Sequence, residues 1–110
     1  DVYSLGVILY ELLSGRLPYD LSAKLIFEAA RIILVDEPQP LSAVNRQLRG
    51  DVEVIVSKAL EKERQRRYSS ANELASDVRR FLSDEPITAR KASAMYQLRK
   101  FARRNRSLVT

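Results

Sequence analysis

Apolar residues run almost without a break from Val2 to Leu13, interrupted only by Ser4, Gly6 and Glu11. A helix with no polar face is a buried helix, so this run predicts one at the centre of the fold. The stretch Leu5–Tyr10 is also compatible with a central strand. Its length and its stop at Gly15 and Pro18 favour the helix. Gly15 stands where a left-handed helix cap belongs, and Pro18 keeps the helix from resuming.

A second helix is predicted behind Ser22 as N-cap, with Ile26, Ala29, Ala30 and Ile33 on one face. It must end before Asp36-Glu37-Pro38-Gln39-Pro40, where two prolines impose extended backbone. A polar connection through Asn45 and Gly50 follows. The third helix has the clearest period: Val52, Ile55, Val56, Ala59 and Leu60 fall at i, i+3, i+4, i+7 and i+8. Asp51 at its start and Lys62 at its end both suit the helix dipole. Glu61–Tyr68 is charged and aperiodic and reads as an exposed turn. Ser70 and Glu73 make a capping box ahead of a fourth helix that should bury Ala71, Leu74, Ala75, Val78, Phe81 and Leu82. Pro86 closes that section. A last helix begins near Ser93, with Ala94, Leu98, Phe101 and Ala102 on one face and Arg99, Lys100, Arg103, Arg104 and Arg106 on the others. The pattern is all-α, about five helices, ending in a basic amphipathic one.

Composition adds what periodicity cannot. At 110 residues, 45% hydrophobic and 30% charged, the chain suits one globular core. Charge is uneven: residues 1–50 carry five basic and six acidic groups, residues 51–110 fourteen and eight. From Ile87 onward there are seven basic residues and no acid. Such a tail reads as a solvated, frayed terminus, as a contact for an anionic membrane surface, or as a nucleic-acid contact. Only Tyr96 and Phe101 interleave aromatics with its charges, which counts against nucleic acid. Asp1 leads straight into the apolar run, with neither an initiating Met nor a leader, as expected of a segment from within a domain.

The absences narrow the chemistry. There is no Cys and no His, which excludes disulfides, thiolate metal sites, histidine bases and Ser-His-Asp triads. Gly6, Gly15 and Gly50 are too far apart for a phosphate-cradling loop. The acidic pairs Asp36-Glu37, Glu61/Glu63 and Asp84-Glu85 fall at loops and helix ends, where solvated charge is the plain reading. No catalytic, cofactor-binding or metal-ligating residue emerges.

Asp1-Val2-Tyr3-Ser4-Leu5-Gly6-Val7-Ile8-Leu9-Tyr10-Glu11-Leu12-Leu13-Ser14-Gly15-Arg16-Leu17-Pro18-Tyr19 resembles the D-[VI]-[WY]-S-L-G-V-x-L-[YW]-E-L-x-[ST]-G-x-x-P-[FY] signature of protein kinases. Leu60–Ala71 is similar to the L-x-K-D-P-x-x-R-[YF]-x-[ST]-A stretch before the last helix of the kinase C-lobe, with Glu63-Arg64 where Asp-Pro is usual. Pro86–Arg90 and Tyr96–Arg106 resemble the linker after the kinase domain in bacterial serine/threonine kinases of the PknB-like type. The resemblance implies a partial kinase domain over residues 1–84, the helical C-lobe from its central helix to its last, and a juxtamembrane-like linker over 85–110.

It implies more. Asp1 would accept N–H groups of the catalytic loop while capping the first helix. Arg67 would pair with the A-P-E glutamate, which is not in this chain, and so wait without a partner. Glu11 becomes a candidate contact for basic substrate side chains, beside the plainer reading of a solvated or paired acid. The parent would use ATP and Mg²⁺ to phosphorylate protein substrates, yet the glycine-rich loop, its lysine and the H-R-D and D-F-G motifs do not occur here. The fragment is therefore expected to be inactive scaffold. Arg99, Lys100, Arg103, Arg104 and Arg106 would face an anionic membrane, in a cytoplasmic protein anchored to the inner membrane by a segment beyond Thr110. The alternative is a free-standing helical binding module using the same basic tail. Without its usual coverage, the first helix should expose apolar surface.

Overall fold

The computed structural model describes residues 2–19, 25–35, 37–90 and 93–105. Within them lie α1 (Val2–Ser14), α2 (Ile26–Val35), α3 (Leu41–Val44), α4 (Asp51–Ala59), α5 (Ala71–Leu82) and α6 (Ala94–Arg104), with 3-10 turns at Arg46–Leu48 and Arg64–Arg66. There is no strand among the described residues, so the all-α expectation holds and the helical reading of Val2–Leu13 is the right one.

The helix with the clearest period is also the hub. Ile55 and Ala59 of α4 pack with Tyr68, Leu74, Ile87 and Tyr96. Val56 and the following Leu60 pack with Tyr10 and Leu41. One helix thus feeds two adjoining clusters, each buried aliphatic contributing about 1.5–3 kcal/mol relative to exposure.

α1 lies against α4 and also touches α3 and α5. The approach is closest at Gly6, where an added Cβ would stand 2.9 Å from Ala59 Cβ and 3.2 Å from Leu60 Cδ2. Tyr10, one turn on, donates its hydroxyl to the Gln39 carbonyl at 2.7 Å and so fixes the extended proline segment. The expectation of a helix buried all round is corrected here. Gly6 and Tyr10 are its buried residues, while Ile8 is 52% and Leu12 77% exposed. One face meets α4 and its neighbours, and no described element covers the other. Gly15 takes the expected left-handed conformation, at φ +75°, and its N–H closes on the Glu11 carbonyl at 2.8 Å.

α2 buries none of its residues. Ile26 and Phe27 are almost fully exposed, and the half-buried positions are Ala29 and Ile32 rather than the predicted Ala29/Ile33 face. What ties α2 to the body is Lys62, whose ammonium donates to the Ile33 carbonyl and the Tyr19 hydroxyl. Ser22, the predicted cap, and Asp36 lie outside the described residues. The connection read as merely polar contains α3, whose first turn is met by Glu53: Ser42 N–H donates to its Oε2 at 2.6 Å.

The Ser70 cap forms as predicted, its Oγ accepting from Glu73 N–H at 3.2 Å. The Glu73 carboxylate returns to the Ser69 N–H, one residue earlier than a capping box requires. In α5, Leu74 is buried and Ala75, Val78 and Phe81 half-buried, but Ala71 and Leu82 are exposed. The helix ends in a Schellman arrangement, Glu85 N–H to Arg80 O at 2.8 Å and Asp84 N–H to Phe81 O at 3.2 Å. Asp84 holds the left-handed position, φ 55°, which aspartate tolerates better than most residues.

Two outcomes follow from α1. Gly6→Ala should destabilise the protein: overpacking costs about 1–3 kcal/mol, offset by up to ~1 kcal/mol of helix propensity, and a lower denaturation midpoint is the readout. The isolated chain should bind an apolar dye and self-associate through its exposed α1 and α2 residues. A sharp, monomeric melt without dye binding would contradict that.

Candidate functional site

The sequence pointed to Asp1, Glu11 and Arg67. Asp1 lies outside the described residues. Glu11 is exposed on α1. Arg67 follows the Arg64–Arg66 turn and is half-buried. Its Nε donates to the Glu61 carbonyl at 2.6 Å and its Nη2 to the Lys62 carbonyl at 3.2 Å. Its guanidinium also lies 4.9 Å from the centre of the Tyr3 ring. The loop thus folds its own carbonyls onto the guanidinium, although the A-P-E glutamate that the resemblance gives as its partner is not in this chain. Those two bonds use two of five N–H donors. A pocket of about 420 Å³ opens beside it, lined by Val2, Arg64, Tyr68, Ser69, Ser70 and Ala71. α1 and the 61–71 segment are brought together at Arg67, through Val2 and Tyr3; Glu11, further along α1, is not among the residues around it.

A second constellation was not predicted. Asp77 is fully buried on α5. It accepts from the Tyr68 hydroxyl at 2.7 Å, Arg80 Nη1 at 2.9 Å, Thr88 N–H at 2.7 Å and Ala89 N–H at 3.0 Å. Asp51, also buried, meets Lys100 Nζ at 2.6 Å, Arg90 Nε at 3.4 Å and the Tyr96 hydroxyl at 2.9 Å. That hydroxyl in turn accepts the Ile87 N–H at 2.8 Å. Three successive backbone N–H groups, 87 to 89, are therefore consumed by this network, and Ile87 and Tyr96 enter the core beside Ile55.

The titration of these groups follows from their surroundings. Burial pushes the Asp77 carboxyl up, but the hydrogen bonds from Thr88, Tyr68 and Ala89 together outweigh it and hold the group below the usual aspartate value. For Tyr68, burial and then the bond to Asp77 push the phenol far above the tyrosine range. Burial also raises Tyr96; the Ile87 N–H opposes this and Asp51 adds to it.

Several expectations change here. Tyr68, placed in an exposed turn, is buried. On α6, Ser93 caps as predicted, accepting from Tyr96 N–H at 3.1 Å. The inward edge, however, is Tyr96 and Lys100, while Leu98 and Phe101 are at least half exposed. Lys100, assigned to a membrane surface, is 4% exposed and ion-paired, so it has no charge to offer one. Arg99, Arg103 and Arg104 are exposed as expected; Arg106 lies outside the described residues. The missed signal was an acid on an apolar stripe: Leu74, Asp77, Val78 and Phe81 share one helix face, as do Asp51, Ile55 and Ala59. Among the described residues no group of acids is arranged to hold a metal ion.

No protein-family model matches the chain. Individual proteins do. The chain is 38% identical over 93 residues to the serine/threonine-protein kinase PknB of Mycobacterium tuberculosis. It is 36% identical over 80 residues to the serine/threonine-protein kinase PksC of Streptomyces coelicolor. The chain is related to bacterial serine/threonine protein kinases. PknB of Mycobacterium leprae matches at 36% over 93 residues. These matches cover 83%, 73% and 83% of this chain respectively, and it spans about 14% of the length of each relative. A match over 83% of the chain is longer than residues 1–84, so the PknB kinases share at least part of the docked segment after α5 as well.

Asp77→Asn should cost about 3–5 kcal/mol, because an amide cannot satisfy four converging donors. The wild-type contribution is present above the ordinary aspartate range near ~4 and is lost as pH falls through the lower value of the folded state. Denaturation midpoints at pH 7 and pH 3 should therefore differ more for wild type than for D77N. Parallel pH profiles would exclude Asp77 as the source.

Proposed function

We propose that this chain is helical scaffold within a serine/threonine protein kinase, an ATP-dependent transferase acting on protein serine and threonine. In this reading residues 1–84 form the C-lobe portion and 85–110 the linker that follows it. The observation that carries it is the identity to PknB extending over 83% of the chain, with α1 (Val2–Ser14) falling within the kinase-like sequence Asp1–Tyr19. An all-helical body built on α1 and α4 agrees with it.

The chain's own part is positional. ATP and Mg²⁺ would be held by the glycine-rich loop, its lysine and the D-F-G aspartate, with the H-R-D aspartate as base, and none of these motifs occurs in this sequence. Asp1, the residue that precedes α1 in sequence, would hold the catalytic loop. Arg67, stiffened by the Glu61 and Lys62 carbonyls and Tyr3, offers its remaining donors towards the 420 Å³ pocket. The carboxylate of the A-P-E glutamate would enter there and form a bidentate pair. Glu11, exposed, would meet basic side chains of a protein substrate. The protein would work in the cytoplasm, with Arg99, Arg103, Arg104 and Arg106 towards an anionic membrane surface and the anchor beyond Thr110. The reading as a free-standing binding module loses Lys100 from its contact surface and leaves the kinase signature without a purpose.

The test is transfer of radiolabelled phosphate from Mg·ATP to a basic protein substrate. The longer protein carrying this segment should label it, and residues 1–110 alone should not. Arg67→Ala in the longer protein should lower transfer by about tenfold or more, equivalent to about 1.4 kcal/mol. Labelling by the 110 residues alone would overturn the scaffold reading, and full activity of R67A would remove Arg67's role.

A further inference from the structure

Where α6 returns to the start of α4, a pocket of about 170 Å³ is lined by Arg49, Gly50, Asp51, Phe81, Arg90, Tyr96, Arg99, Lys100 and Arg103. Five of those side chains are cationic and one is anionic. Asp51 is committed to Lys100 and Arg90. Among the described residues, Arg103 is paired with Asp84 at 3.8 Å. With both acids counted, three positive charges remain around a single concavity. Arg99 and Arg103 lie four residues apart on α6, hence on one face about 5–6 Å apart. Arg49 approaches from the other wall, just after the Arg46–Leu48 turn.

We propose that this pocket binds a phosphate group, free or on a lipid headgroup, through Arg49, Arg99 and Arg103. Planar guanidinium forks match tetrahedral oxyanions and pair with them bidentately. The volume is several times the ~30 Å³ share of one liquid water, enough for one such anion and too little for an extended acidic peptide. The site differs from a diffuse basic tail, because it needs α6 seated by Asp51 and it draws on Arg49, a residue far from the tail in sequence. It stands independently of kinase membership.

The protein is titrated with inorganic phosphate at constant ionic strength, with chloride as the balancing anion, and binding is followed by calorimetry and thermal shift. Saturable binding above the chloride baseline is expected. Arg49→Ala/Arg99→Ala should weaken it by about tenfold or more per arginine. Both residues are exposed, so circular dichroism and the melting midpoint without phosphate should be unchanged. Arg16→Ala/Arg31→Ala removes the same charge from exposed positions elsewhere and should leave binding intact. A second arm measures sedimentation with phosphatidic acid and with neutral phosphatidylcholine vesicles. Loss of phosphatidic acid binding in R49A/R99A, with competition by phosphate, identifies the headgroup; phosphate binding with no vesicle binding identifies the free anion. Phosphate no better than chloride, equal weakening in R16A/R31A, or binding only of polyglutamate would overturn the proposal.

Discussion

A carboxylate taken out of water has to be met by donors, and Asp51 and Asp77 are met mostly by the segment that follows α5. Of the seven described residues that meet them, five come from residues 88–100: Thr88, Ala89, Arg90, Tyr96 and Lys100. The remaining two, Tyr68 and Arg80, orient Asp77 from its own side. Because the donors include backbone N–H groups, the path of the chain at Thr88 and Ala89 is fixed as well as its side chains. Ile87 and Tyr96 can then fill the core beside Ile55 and Leu74. If these two acids were removed, the segment would lose both its anchors and its reason to bury apolar surface.

The other constraint is the approach of α1 to α4 at Gly6. It lets a strongly apolar helix lie backbone-close to the hub of the fold while its far side stays open. An open apolar side is costly in water unless something covers it. A scaffold helix shared with a larger domain has that property, which is consistent with a chain spanning about one seventh of its kinase relatives.

Charge in the last third of the molecule is divided between two tasks. Lys100 and Arg90 are turned inward and neutralise Asp51. Arg99, Arg103 and Arg104 remain outside, and the first two share a concavity with Arg49. A net positive tail therefore overstates what is available to a partner, and a few particular guanidinium groups carry the field that remains.

The longer helices of this chain, unlike α3, were legible from local sequence because they record their own period, caps and stops: Val52–Leu60, the Ser70 and Ser93 caps, and Gly15 after α1 all formed as their residues dictate. Kinase ancestry was legible for a similar reason, since Asp1–Tyr19 is a contiguous signature. The burial of Tyr68, the partners of Arg67 and the seating of α6 through Lys100 were not. Each depends on which groups from distant parts of the chain arrive at the same place, and a single position looks the same in sequence whether or not they do. Asp51 reads as a helix-dipole acid and Asp77 draws no reading at all until donors from residues 68, 80 and 88–100 are folded over them. The local sequence determined the elements; the meeting of buried charge with its donors, a tertiary event, decided which faces turn inward.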